Sequence, residues 1–428
     1  MASSIDNTLP KKYLTKRPFN YKLEFLRGVA ALLVIYYHAI VHKFTLDPAY
    51  MPGGVWKFIA PGHLAVLVFF VLSGYVIQLT NATPVLGSKV KAYLQKRFVR
   101  IYPIYAAATL FTWLAFLPKY AVKVLIFNLL FLQIFKFAPI MWENNPVWSL
   151  DYEVGFYLLF IVLSGFKFNT KAIALSAFVM SFALVFLVGH EAISELVPYL
   201  VYLCFWVCGA IIAQTCAEAD FTKMNPALLV SSVFAFASLE YFNILHTVLN
   251  RMFALLKPYS VLSNTDWGLN TDMIRDFSLL PFCLIIILLF AGVKKWYTIY
   301  GYYLLQAINA LTLIHVFQSR HQPSIDIFLI PGICFALSVI LIFCQKNQKI
   351  NWLLEEFMRK GAGVGSISYG IYIVHFPILS LFQKMTLCSG TGIDFLGRFV
   401  LFVALTLAAA YFLEKKLQPF AVRFLTGK

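Results

Sequence analysis

Apolar runs long enough to cross about 30 Å of hydrocarbon recur along this chain from residue 23 to residue 413. They fall near 23–42, 58–79, 100–117, 149–165, 171–189, 197–214, 226–242, 275–292, 299–318, 325–344, 366–383 and 395–413. A further run, 120–137, carries Lys119 and Lys123 at its start and Lys136 at its end. If that run crossed, the basic stretches at 166–171, 294–295, 345–360 and 414–428 would all face outward. Short basic loops collect on the cytoplasmic side, so the pattern predicts that 120–137 is a re-entrant or tightly packed half-span. The expected fold class is all-α, a polytopic transmembrane helical bundle of roughly 10–12 spans with both termini cytoplasmic.

On this reading a cytoplasmic tail, 1–20, precedes one membrane domain, 21–414, and a basic cytoplasmic tail, 415–428, follows it. The acidic loop 190–195 and the long loop 243–274 face outward. The loop 345–364 sets Trp352, Leu353, Leu354, Phe357 and Met358 among Lys and Arg, a spacing that suits a short helix in the inner interface. No internal repeat, low-complexity tract or cleavable signal peptide is evident.

Composition agrees. Residues are 61% hydrophobic and 13% charged, with mean hydropathy +0.77. Soluble domains carry about a quarter charged residues, so water could not solvate this surface, whereas a lipid bilayer could. The net charge of +16 sits in short loops, which points to membrane topology and to no nucleic-acid partner. Of seven cysteines, Cys204 and Cys208 are one helical turn apart but lack a second ligand pair. Neither a metal site nor a structural disulfide is expected.

Ionisable groups at membrane depth cost about 2.5–3.5 kcal/mol each on insertion scales, so each needs a reason. Arg27 and His38 share one face of the first span, roughly 16 Å apart along its axis. Taken alone, Arg27 reads equally well as a snorkelling arginine and His38 as a helix-bonded imidazole. His63 enters the second span, followed by Ser73 and Gly74, small residues that also suit close helix packing. Arg97 and Arg100 lie one turn apart, a spacing suited to phosphate as well as to an ordinary basic loop. Asp151 and Glu153 open a later span behind Trp148. Asp151 complements a helix N-terminus, while Glu153 lies further in and needs a partner, for which an imidazole would serve. Tyr369, Tyr372 and His375 mark the eleventh run, and Tyr372 and His375 share a face. The pattern sets arginines at one end and histidines with a glutamate at the other.

Five blocks, LEFLRGVAALLVIYYHA, GHLAVLVFFVLSGYVI, RFVRIYPIY, NPVWSLDYEVGFYLLF and SISYGIYIVHFPI, resemble the bacterial membrane acyltransferase 3 family of O-acyltransferases, in the family's order. The Arg27–His38 spacing and the Arg97–Arg100 pair carry most of the likeness. Ala65, Leu67 and Gly370 depart from common family residues without touching an ionisable group. The resemblance implies transfer of an acyl group, acetyl by default, from acyl-CoA to a hydroxyl of a glycan or glycolipid of the cell envelope. It also implies a multi-pass protein of the bacterial inner membrane. His38 is then the expected base, oriented by Glu153, with Arg27 assisting along the cavity. Arg97 and Arg100 would hold the CoA phosphates, while His63, Tyr372 and His375 would serve the acceptor side. A transporter or lipid-linked glycan flippase, which also needs intramembrane charge, is the alternative; it would often show inverted repeats.

Overall fold

The computed structural model describes residues 20–135, 139–166, 169–187, 196–215, 220, 224–259, 271–318 and 325–426. The N-terminal tail before residue 20, the acidic loop 190–195, residues 260–270 of the long loop 243–274, Lys136 and Cys216 lie outside the described residues; the start of that long loop forms a helix, Ile244–Leu256. The described residues are helical and contain no strand. The fold is a polytopic helical bundle, as the apolar pattern predicts.

Among the described residues, nine helices are long and apolar enough to cross a membrane. A bent pair, Gln348–Gly365 and Ser368–Phe382, meets at 60° and makes a tenth if it counts as one broken span. The runs near 171–189 and 299–318 also form helices, Thr170–Leu187 and Trp296–Gln318, but neither is one of the nine. Tyr297, Tyr300, Tyr302, Tyr303, Gln306 and Asn309 make the second of these too polar. The run 120–137 forms an eight-residue helix, Val122–Leu129, and a short 3-10 turn, Leu132–Phe135. Eight residues rise about 12 Å, far short of the bilayer core, so this helix is no span.

The site depends on seven helices. They are α1 (Tyr21–Val41), α2 (Gly62–Thr80), α3 (Ser88–Ala115), α4 (Trp148–Gly165), α5 (Leu196–Thr215), α6 (Gln348–Gly365) and α7 (Ser368–Phe382). An eighth, α8 (Gly392–Phe412), runs through a π-helical turn, Leu413–Leu417, into a last helix, Gln418–Thr426. Helix starts follow local chemistry. The Asn20 side chain accepts from the amides of Lys22 and Leu23 and caps α1, as Asn347 caps α6 through Ile350 and Thr391 caps α8 through Asp394.

Two helix crossings lack room for a single Cβ. Where α2 meets α5, a Cβ at Gly74 would lie 1.8 Å from the Trp206 carbonyl oxygen, and one at Gly209 would lie 1.9 Å from that of Val71. Where α1 meets α6, a Cβ at Gly365 would lie 1.7 Å from the Glu24 carbonyl oxygen. Small residues let backbones approach this closely, and in lipid such packing replaces a hydrophobic driving force between helices. The amphipathic character of 345–364 is realised in α6: Trp352, Leu353 and Phe357 are exposed, while Met358, Ala362 and Gly365 are buried.

The far end of α7 is held by one side chain. Arg398, 4% exposed on α8, donates from Nη2 to the Phe382 and Met385 carbonyls, from Nη1 to Leu387, and from Nε to Leu46. A guanidinium at a helix C-terminus satisfies carbonyls that have no partner within the helix and opposes the negative end of its dipole. Beside it, Asp47 accepts from the Ser389 hydroxyl and from the amides of Ala49 and Gly390. Burial works to raise the Asp47 carboxyl, but these hydrogen bonds outweigh it and hold its pKa below the usual value. The segments after α1 and after α7 are thereby fastened together.

The glycine crossing yields a stability test with an internal control. Gly74→Ala forces α2 and α5 apart, so its thermal midpoint in detergent falls by several degrees or the protein ceases to elute as one species. Gly155→Ala on α4, where the added Cβ meets nothing within 4 Å, leaves the midpoint unchanged or raises it.

Candidate active site

A cavity of about 190 Å³ opens between α1, α2, α3, α4 and α7. Arg27, Arg97 and Arg100 lie along its wall with Glu153, Ser73, Tyr157 and Tyr369, and Ser149 and Tyr372 also line it. Apolar side chains from α2 and α3, among them Phe69, Phe70, Val76 and Ile101, complete the lining. The cavity therefore collects the three arginines and the glutamate singled out in the sequence.

The three arginines are not equivalent. Arg27 donates to both carboxylate oxygens of Glu24, at 3.0 and 3.2 Å, one turn earlier on α1. Arg100 meets Glu414 in a two-pronged pair, Nη1 to Oε2 at 2.7 Å and Nη2 to Oε1 at 3.4 Å, and its guanidinium lies over the Tyr369 ring. Glu414 is 6% exposed, and its Oε1 also accepts from the Gly370 amide. Gln418 reinforces the joint by donating to the Arg100 carbonyl at 2.9 Å. Among the described residues Arg97 forms no ion pair: its guanidinium lies between the rings of Tyr93 and Tyr157, 5.6 and 5.8 Å away, and its buried Nε has no hydrogen-bond partner. Arg97 and Arg100, expected together at the donor phosphates, thus differ in their partners. Arg100 is already paired with Glu414 and Arg27 with Glu24, whereas Arg97 has no acidic partner among the described residues.

Glu153 does not meet an imidazole. Its Oε1 accepts from the Ser73 hydroxyl at 2.8 Å and from the Tyr157 hydroxyl, while the Trp206 indole donates to Ser73 Oγ at 3.2 Å. The expected pairing with His38 is therefore absent, because one turn along α4 supplies a hydroxyl instead. Asp151 points elsewhere, accepting at 2.9 Å from Gln133, which also donates to the Tyr105 hydroxyl.

His38 is met by another histidine. His375 on α7, completely buried, brings Nε2 to 3.0 Å from His38 Nδ1 and holds its own Nδ1 2.7 Å from the Tyr372 carbonyl. His38 Nδ1 also lies 3.1 Å from the Val34 carbonyl, and His38 Nε2 makes no hydrogen bond among the described residues. The Tyr372 hydroxyl donates to the Pro146 carbonyl at 2.8 Å and accepts from Ser149 at 2.7 Å. Tyr372 thus borders the cavity with its ring and hydroxyl while its backbone anchors His375. His63 stands apart from the cavity, with Nε2 2.8 Å from Asp276 Oδ2 and its ring stacked on Trp148.

Several participants went unread in the sequence. His42, one turn beyond His38, stacks on it at 5.8 Å and meets Trp142 edge-on; the four-residue spacing in HAIVH was the available signal. Tyr93, Tyr157 and Ser149 are common residues with no distinguishing pattern. Glu414 was hidden beside Lys415 and Lys416 at the edge of a basic tail. Among the described residues no group of three His, Cys, Asp or Glu could hold a metal ion, and the six described cysteines are free.

A family model described as an acyltransferase domain matches residues 20–315. That interval holds both glycines of the α2–α5 crossing, the three cavity arginines, His38 and Glu153, and it ends before His375 and Glu414. No curated protein and no solved structure matches the chain.

The inequality of the arginines predicts unequal stability effects. Arg100→Ala strands the buried Glu414 carboxylate and lowers the thermal midpoint in detergent, because an uncompensated buried charge is costly. Arg97→Ala strands no acid and leaves the midpoint within about 1 °C of wild type, as expected where no buried pair is broken. Equal losses would mean that Glu414 does not depend on Arg100.

Proposed function

The chain belongs to the acyltransferase 3 family and is a multi-pass membrane acyltransferase, and from that premise we propose which way the acyl group travels and what carries it. The donor is an acyl-CoA, acetyl-CoA by default, that enters the cavity from the cytoplasm. The acceptor is a hydroxyl of a cell-envelope glycan or glycolipid on the outer side of a bacterial inner membrane. Both termini are cytoplasmic in this arrangement, which keeps the basic loops inside.

The unpaired Arg97 guanidinium is the observation that carries the reading. A cation held between two tyrosine rings, with a buried donor unused, suits a phosphate oxygen that completes its hydrogen bonds. With the CoA phosphates there, the pantetheine arm follows the apolar wall from α2 toward Ser149 and Tyr372. His38 lies beyond Tyr372, and its open Nε2 takes the proton of the acceptor hydroxyl as that oxygen attacks the thioester carbonyl. The carbon–sulfur bond then breaks, and CoA leaves as the thiolate to be protonated. Glu153 keeps Tyr157 against the Arg97 guanidinium and so shapes the donor end rather than the base.

Two measurements on protein in nanodiscs separate these roles. Arg97→Ala weakens acetyl-CoA binding by at least about tenfold, the value of one charge-assisted hydrogen bond, and unchanged affinity would overturn the donor site. His38→Ala retains donor binding but lowers transfer to a glycan acceptor by about 10²–10⁴-fold, the usual worth of a general base. Wild-type transfer in that variant would remove His38 from the chemistry.

A further inference from the structure

The imidazole pair constrains its own protons. A carbonyl oxygen can only accept, so His375 Nδ1, 2.7 Å from the Tyr372 carbonyl, carries hydrogen. A second proton on Nε2 would place an imidazolium in a fully buried position whose neighbours among the described residues, His38, His42, Phe376 and the Tyr372 and Ile371 backbone, include no acid. His375 is therefore neutral, and its Nε2 is a lone pair. His38 Nδ1 faces that lone pair at 3.0 Å and the Val34 carbonyl at 3.1 Å, both acceptors, so Nδ1 carries the His38 proton. His38 Nε2 is left as the basic nitrogen. The Val34 carbonyl already receives the His38 amide in the helical ladder of α1, which makes His375 the uncommitted acceptor.

We propose that His375 is a positioning residue for acyl transfer: its Nε2 lone pair orients His38 and stabilises the imidazolium that forms there. The inference rests on the reading of His38 as base. When Nε2 of His38 takes a proton, the Nδ1–H to His375 bond becomes charge-assisted and strengthens, so the effect falls on the transition state rather than on ground-state binding. The Tyr372 carbonyl keeps the His375 ring in register, and the Tyr372 hydroxyl is itself fixed by Pro146 and Ser149. The arrangement does with an imidazole what a buried carboxylate does behind a catalytic histidine elsewhere. No acid is needed at this depth, so the pair avoids burying an anion.

The test compares His375→Phe, which keeps a planar ring but offers no acceptor, with His375→Gln, which returns an amide oxygen close to the place of Nε2. His375→Phe lowers kcat for acetyl transfer by about 10²-fold or more while KM and binding of acetyl-CoA stay unchanged. His375→Gln recovers at least about a tenth of wild-type kcat, as a neutral acceptor should. Nitrogen NMR of histidine-labelled protein, with His38 assigned from His38→Ala, finds the His38 proton on Nδ1 in the wild type. Wild-type kcat in His375→Phe, equal loss in both variants, or a His38 proton on Nε2 would each overturn the proposal. Transfer that survives His38→Ala would instead overturn the base assignment beneath it. The NMR result on the unaltered protein decides the case even if a variant does not fold.

Discussion

A charge carried into hydrocarbon loses the water that stabilised it, and it persists there only where the protein supplies polar partners in its place. Most of the buried ionisable groups of this bundle obey that demand across long stretches of sequence. Lys22, 1% exposed, reaches the Met224 carbonyl at 3.2 Å and Glu355 at 3.3 Å. Arg398 spends its donors on the carbonyls that end α7. Arg100 is met by Glu414, and His63 by Asp276. These bonds tie α1 to Met224 and α6, α3 to the turn after α8, and α2 to the turn that opens the eighth apolar run, so the polar groups that burden insertion also fix how the helices assemble. Among the described residues Arg97 departs from the rule, and the proposed donor site rests on that departure.

How far the site was legible depended on what periodicity can encode. Hydropathy fixes which residues lie at membrane depth, and the basic loops favour one orientation. Arg27, Arg97 and Arg100 were placed near one another in this way, and they do share a cavity; Glu153, set with the histidines at the other end, lines that same cavity instead. Periodicity is silent on the rotation of one helix against the next. It therefore offered Glu153 to His38, whereas the fold turns Glu153 to Ser73 and Tyr157 and brings His375 from 337 positions away. The half-span reading of 120–137 was accessible because charge and length both bear on it. The Arg398 clamp was not, since its partners are backbone carbonyls that every residue carries.

Close backbone contact gives the cavity its shape. At the α2–α5 crossing the Trp206 indole is pressed toward Ser73, where it donates to the hydroxyl that Glu153 also holds. A packing feature thus feeds directly into the polar wall. At the α1–α6 crossing the contact lies one residue from Arg27, through Gly28 and Gly365, so the depth of that arginine is set by how closely the two helices can touch.

The Arg100–Glu414 pair has a consequence for biogenesis. The two residues are 314 positions apart, and synthesis at about 5–20 residues per second separates their emergence by roughly 15–60 seconds. Throughout that interval α3 is in or near the bilayer with an arginine whose acid has not yet been made. Until residue 414 arrives, the joint between α3 and the turn after α8 cannot form. Completion of the cavity is thereby coupled to synthesis of residue 414, since Arg100 in the cavity wall gains its carboxylate partner only then.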